Sequence, residues 1–198
     1  VCSPGLDGGF LFDDAPNLQS LGSLGGIKDW DTFQNFVLHG SAGPLGRPVA
    51  LASFVLDSTN WPADPWPFKR TNLVIHLFAG LALFWATLAM LRLGNVSDRK
   101  SQWAALLNAA FWLLHPYMVS TTLYSVQRMA QLAALFMFLG LAGYLHGRLL
   151  LIKGQKSAGY VWISVSIVAG TALAAFSKEN GLLLPALILV VEACLPRH

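Results

Sequence analysis

The sequence predicts an all-α integral membrane protein with about five transmembrane helices, preceded by a non-cytoplasmic loop that carries short amphipathic helices. Composition is the first reason: only 12% of residues are charged and the mean hydropathy is +0.53, whereas a soluble domain is usually about 25% charged. The position of the charges is the second. Seven of the ten acidic residues precede Thr71, so the chain divides into a polar part, residues 1–70, and an apolar part, residues 71–198.

The polar part contains two segments with helical periodicity. Residues 30–38 and residues 48–56 each place apolar side chains on one helical face. Such faces are typical of helices that lie flat on a bilayer, and equally of surface helices that pack on the loop itself. Residues 61–68 are too rich in proline for a helix, and their aromatic side chains fit the headgroup region of a membrane.

The apolar part contains five candidate spans. The first is long enough to cross about 30 Å of hydrocarbon and contains His76, which is either a functional residue or a hydrogen-bonding group near the interface. The second is interrupted by His115-Pro116, where we expect a kink. In order, the predicted spans are residues 71–93, 102–120, 129–152, 159–176 and 181–195.

Basic residues orient these spans. They cluster in two short connections, which should therefore be cytoplasmic: Arg92, Arg99 and Lys100, then Arg148, Lys153 and Lys156. Residues 1–70 then lie on the opposite side, and we expect a bacterial inner membrane with these residues in the periplasm. Counting the membrane crossings places six ionisable residues on that side: Asp13, Asp14, His115, Arg128, Lys178 and Glu179.

Charge and cysteine content exclude some classes of function. The net charge of +3 is not concentrated on one element, so no nucleic-acid partner is predicted. Cys2 and Cys194 lie at opposite ends of the sequence and indicate neither a disulfide framework nor a metal motif. The polar start without an initiator methionine leads us to expect part of a longer protein.

Two adjacent carboxylates, Asp13 and Asp14, form the most specific chemical feature of the polar part. If both are held at one site, their repulsion favours a retained proton on one of them. Such a pair suits proton abstraction or metal binding. The alternative is an ordinary turn, because aspartate side chains often bond the nearby backbone.

Six short motifs follow one another along the chain: Phe12-Asp13-Asp14-Ala15-Pro16-Asn17-Leu18, Gly46-Arg47-Pro48-Val49, Thr71-Asn72-Leu73-Val74-Ile75-His76, His115-Pro116, Tyr124-Ser125-Val126-Gln127-Arg128-Met129 and Phe176-Ser177-Lys178-Glu179-Asn180-Gly181. In this order they resemble the N-terminal membrane region of GT-C glycosyltransferases, closest to bacterial relatives of the transmembrane and tetratricopeptide-repeat O-mannosyltransferases. Eukaryotic members usually carry a glutamate five residues after the histidine of the His-Pro motif. Here that position is Ser120, so no role is transferred to it.

The resemblance implies an enzyme that transfers a sugar from a polyprenyl-phosphate donor to a hydroxyl acceptor, such as a protein serine or threonine. It implies that Asp13 is the base and that Asp14 either orients the acceptor or supports Asp13, with Arg128 and Lys178 at the donor phosphate. Glu179 would orient Lys178 or bind the sugar. Three further residues are expected in supporting positions: Arg47, His76 and His115. The mechanism requires no cofactor, although paired acids can hold a divalent metal.

Two other functions fit the sequence. The chain could be part of a transporter or flippase, in which His76 and Glu192 carry substrate or protons within the membrane. The long, acid-bearing first part argues against this, because plain connecting loops are shorter. The chain could also be a non-catalytic membrane anchor of a repeat-containing scaffold, although it contains no tetratricopeptide repeat itself.

Overall fold

The computed structural model describes residues 5–40 and 46–195, and over those residues the fold is entirely helical, with no strand. Cys2 lies outside the described residues. The described α-helices are α1 (Asp14–Leu18), α2 (Trp30–His39), α3 (Pro48–Phe54), α4 (Pro65–Leu93), α5 (Asp98–Leu114), α6 (Tyr117–Leu123), α7 (Arg128–Ile152), α8 (Lys156–Ser177) and α9 (Leu184–Cys194), with 3₁₀ segments at Gln19–Gly25, Ser125–Gln127 and Glu179–Leu183.

Three helices in the described part of the chain are long and apolar enough to cross a membrane: α4, α7 together with its preceding turn, and α8. The predicted spans 71–93, 129–152 and 159–176 lie inside them. Helix α4 begins six residues before its predicted span, because the Asp64 carboxylate accepts a hydrogen bond from the Trp66 amide at 3.0 Å and Pro65 suits the first turn.

The other two predicted spans look different in the structure. Residues 102–120 do not form one helix: α5 ends at Leu114 and α6 begins at Tyr117, because Pro116 lacks an amide hydrogen and restricts the residue before it. Helix α9 has 11 residues and α5 has 17. Neither belongs to the three helices with the length and composition of a span, so the five-span topology stays a prediction.

Helix α7 is the centre of the bundle and packs most extensively against α8 and α4. Small residues bring α7 and α8 together. A Cβ atom added to Gly143 would lie 2.2 Å from the Ser166 hydroxyl, and one added to Gly170 would lie 3.0 Å from the Gly140 Cα. This close approach is typical of helices that associate in a membrane.

The polar part folds on itself and on the start of α7. Phe36 of α2, Leu51 of α3 and Phe68 of α4 are buried in one apolar cluster that also includes Met129. Trp30 of α2, by contrast, is 66% exposed. The apolar faces of residues 30–38 and 48–56 therefore pack on each other and, through α3, on α7 and α8.

The bundle has two distinct ends, which we name for their residues. The loop end comprises residues 5–40 and 46–64 with the turns at 115–127 and 178–183. The basic end comprises residues 92–100 and 153–156. Arg92 and Lys153, from the ends of α4 and α7, line one polar cavity at the basic end, so the two basic connections lie side by side as the orientation analysis requires.

The two ends should lie on opposite sides of the membrane. Single cysteines placed at the exposed Ser23 and Ser97, in a background with Cys2 and Cys194 replaced by serine, should react with a membrane-impermeant maleimide from opposite sides. Labelling in intact and permeabilised cells measures this. Equal labelling of both positions from one side would contradict the orientation.

Candidate functional site

The acidic pair lies at the loop end, where Asp13 precedes α1 and Asp14 begins it. An acidic residue in the first turn is favoured by the helix dipole. The two neighbouring side chains have opposite environments. Asp14 is fully buried, whereas Asp13 is exposed. Adjacency in the sequence therefore does not make the two carboxylates equivalent.

Asp14 joins the loop to the turn that precedes α7. One carboxylate oxygen accepts a hydrogen bond from the Leu11 amide at 2.9 Å, and the other accepts one from the Val126 amide at 2.8 Å. Burial raises the pKa of Asp14 above its ordinary value, while these amide donors and the positive charge of Lys69 act in the opposite direction. Burial, and not the predicted repulsion by Asp13, is the main cause of the shift.

Asp13 is held through its backbone. Its amide donates to the Tyr124 hydroxyl at 2.9 Å, and its carbonyl accepts from the Asn17 side chain at 2.8 Å. Partial burial, followed by the nearby Asp13 and Asp14 carboxylates, raises the pKa of the Tyr124 phenol, which therefore keeps its proton at neutral pH. The site thus presents an exposed carboxylate beside a protonated phenol.

Phe12, in the same turn, has an unusual backbone conformation. It is a non-glycine residue with a φ of 34°, in the left-handed region, and its side chain is 88% exposed. Its ring makes an edge-on contact with Tyr124 at 6.4 Å between centroids. Residues in this region of φ are uncommon and cluster at functional sites, so the turn is a candidate site on geometry as well as on charge.

Arg128, which the resemblance placed at a donor phosphate, is fully buried and saturated by protein groups. It forms an ion pair with Asp57. Its guanidinium also donates to the Asn72 side chain and to the carbonyls of Ser53 and Phe68, at 2.8 to 2.9 Å. This arrangement leaves Arg128 no open direction toward a ligand, and we therefore correct its predicted role to that of a structural clamp.

The other buried polar groups fix the same region. Asn72 donates from its amide nitrogen to the carbonyls of Tyr124 and Ser125, at 3.1 and 3.2 Å. Lys69 is only 2% exposed, and its ammonium donates to the carbonyls of Gly5 and Gly8. Both residues lie on α4, so this helix holds the backbone at Gly5 and Gly8 and the turn before α7.

Arg47 and Glu179 form a second link between the loop and the bundle. Arg47 precedes α3 and donates from two nitrogens to the two oxygens of Glu179, at 3.1 and 2.9 Å. Lys178, the neighbour of Glu179, is half-buried, and no hydrogen bond or ion pair joins its side chain to the described residues. Of the two cations predicted at the phosphate, only Lys178 thus stays available.

The two histidines predicted as supporting residues lie in different surroundings. His76 is buried, contacts the Leu113 carbonyl through Nε2 at 3.1 Å and stacks on Trp112. It therefore joins α4 to α5. His115 is exposed, and its Nδ1 accepts a hydrogen bond from the Tyr117 amide at 3.3 Å, which begins α6. Both contacts are structural.

Four residues that shape this site had no predicted role: Asp57, Lys69, Asn72 and Tyr124. Two of them carried a usable signal, because Lys69 and Asn72 are polar residues at the start of an apolar span. Asp57 and Tyr124 carried none, since nothing in the local pattern reveals a partner far away in the chain. Within the described residues, no three histidine, cysteine or acidic side chains come together as metal ligands.

The raised pKa of Asp14 predicts a specific pH dependence of stability. The folded protein retains this proton at pH values where the unfolded chain has lost it, so the contribution of Asp14 falls as pH rises above the ordinary value of 3.8. Other acids titrate in the same range, and the comparison with Asp14→Asn isolates this one. As pH rises above 3.8, the variant should lose less stability than the native protein.

Thermal unfolding in detergent at several pH values measures this difference. Asp7→Asn removes an exposed acid of the same loop and serves as the control, which should keep the native pH dependence. If stability changes with pH in the same way for Asp14→Asn and for the native protein, the pKa of Asp14 does not rise on folding.

The clamp predicts a large loss of stability for Arg128→Gln. The change leaves Asp57, whose side chain is only 3% exposed, buried without its cationic partner. Removing one member of a buried pair costs about 3–5 kcal/mol. Denaturant or thermal unfolding should show this loss, whereas Arg70→Gln, at an exposed cation two residues after Phe68, should change stability little. Unchanged stability of Arg128→Gln would restore a ligand-binding role.

No protein-family model, no curated protein and no solved structure matches this chain. The candidate site therefore stands on the geometry described above.

Proposed function

We propose that the chain is the membrane region of a glycosyltransferase that moves a sugar from a polyprenyl phosphate to a hydroxyl acceptor at the loop end, on the non-cytoplasmic face. The observation that carries the proposal is the environment of Asp13. Its carboxylate is exposed while its backbone is fixed by Tyr124 and by the buried Asp14. A base must reach the substrate and keep its position, and this combination meets both requirements.

The proposed reaction uses Asp13 as a general base. Its carboxylate takes the proton of the acceptor hydroxyl as that oxygen attacks the anomeric carbon of the sugar. The bond from the anomeric carbon to the phosphate oxygen breaks, and the products are the glycosylated acceptor, polyprenyl phosphate and protonated Asp13. The phenol of Tyr124 is close enough to Asp13 to donate a hydrogen bond beside the reacting groups.

The leaving phosphate requires a cation at the same end. We assign this role to Lys178, which is half-buried in the turn between α8 and α9. Glu179 beside it is held by the two-pronged contact with Arg47, which fixes the backbone of that turn. A preorganised cation stabilises the charge that develops as the bond to the leaving group breaks.

The proposal predicts different effects for the two acids. Asp13→Asn should reduce turnover by roughly two to four orders of magnitude with little effect on donor binding, since a base acts mainly in the transition state. Asp14→Asn should mainly reduce stability, because it loses one of two backbone contacts. The assay is transfer of a radiolabelled hexose from polyprenyl phosphate to a peptide rich in serine and threonine, using the full chain in membranes.

Asp7→Asn provides the matched control, because it removes another exposed acid of the same loop. It should keep native turnover. Full activity of Asp13→Asn would end the assignment of Asp13 as base. Absence of transfer by the native protein, with bound donor, would favour a non-catalytic role for the loop.

A further inference from the structure

A groove at the opposite end of the bundle has no part in the proposed reaction. Helix α7 forms its floor, and α4 and α8 form its walls. Its volume is about 490 Å³, within the range of sites that take small molecules. Apolar side chains line most of it, including Trp85 of α4 and Trp162 of α8.

The length of the groove along α7 matches the hydrocarbon thickness of one membrane leaflet. It runs along α7 from Leu139 to Leu149, which at 1.5 Å per residue is about 15 Å. Half of a hydrocarbon core of about 30 Å is the same length. Trp85 and Trp162 are 51% and 48% exposed. The groove therefore opens sideways, toward the region where acyl chains lie.

The groove ends in a polar cavity that carries positive charge. Arg92 and Leu149 line both spaces, so the two lie next to each other. Lys153 lines the polar cavity as well, and no hydrogen bond or ion pair joins its side chain to the described residues. Asp98 is also present and pairs with Arg92 at 3.0 Å.

The Arg92–Asp98 pair does not prevent binding of an anion. The two side chains are 39% and 76% exposed, and exposed ion pairs of this kind contribute little to stability. An anionic group can therefore share Arg92 or replace Asp98 beside it. The charge at the mouth remains positive, with two cations and one carboxylate.

We propose that this groove binds an anionic phospholipid, with one acyl chain between α4 and α8 and the phosphate beside Arg92 and Lys153. The apolar length of one leaflet and the cationic mouth together select this ligand. A neutral phospholipid matches the apolar part alone. The proposal is independent of the glycosyltransferase assignment, since no residue of the groove belongs to the candidate site.

Native mass spectrometry tests the proposal directly. The full chain in detergent is given equal amounts of phosphatidylglycerol and phosphatidylcholine with identical acyl chains. The native protein should retain phosphatidylglycerol preferentially. Arg92→Gln and Lys153→Gln should each reduce that preference about fivefold, the effect expected for one cation near an anionic lipid surface. Ala142→Trp, which fills the floor of the groove, should reduce retention of both lipids.

Arg99→Gln combined with Lys156→Gln is the matched control, because it removes two charges at the basic end outside both cavities. It should keep the native preference. An equal loss in this control would show diffuse attraction and overturn the site, as would native retention of both lipids by a folded Ala142→Trp. Circular dichroism checks the fold of each variant.

A photo-crosslink identifies the occupant in the membrane. Trp162→p-benzoylphenylalanine should attach to phospholipid when the full chain is irradiated in membranes. Attachment instead to another segment of the protein, or to a second copy, would show that protein covers the groove and would overturn the lipid assignment.

Discussion

The buried ion pair between Arg128 and Asp57 is the interaction on which the arrangement of the loop end depends. It joins the first residue of α7 to the loop between α3 and α4, at a point where neither charge reaches water. Two charges removed from water remain stable only when their other polar atoms are also satisfied. Asn72 and the carbonyls of Ser53 and Phe68 satisfy Arg128. Thr71 donates to Asp57 at 2.5 Å.

This clamp explains how a polar segment can hold a site against an apolar bundle. The rings of Phe54 and Phe68 lie next to the Arg128 guanidinium, so the charged group belongs to the apolar cluster as well as to the polar network. Because the network also fixes the turn at Tyr124, the backbone amide of Val126 is in place to bind Asp14. Asp13 is then the exposed neighbour of a fully anchored residue.

The two ends of the bundle differ in structure. At the loop end, Asp14, Lys69, Asn72 and Arg128 are buried and hydrogen-bonded, whereas the carboxylate of Asp13 is exposed. At the basic end, α4 and α8 are separated by the width of α7, which leaves the lateral groove. We therefore propose that chemistry takes place at the loop end and that lipid binds at the basic end.

The sequence alone determined the helical membrane class and the positions of three long helices, because apolar runs of about 20 residues have few other solutions. It also identified the acidic turn and the placement of the basic connections. Tertiary structure decided the role of each charge. The residue types and spacing do not distinguish the environments of Asp13 and Asp14, and the structure shows that only Asp14 is buried and bound to the Val126 amide. From the sequence, Arg128 is a possible ligand-binding residue. The structure shows that it pairs with Asp57, which lies 71 positions earlier. Such pairings depend on long-range folding, which local patterns do not encode.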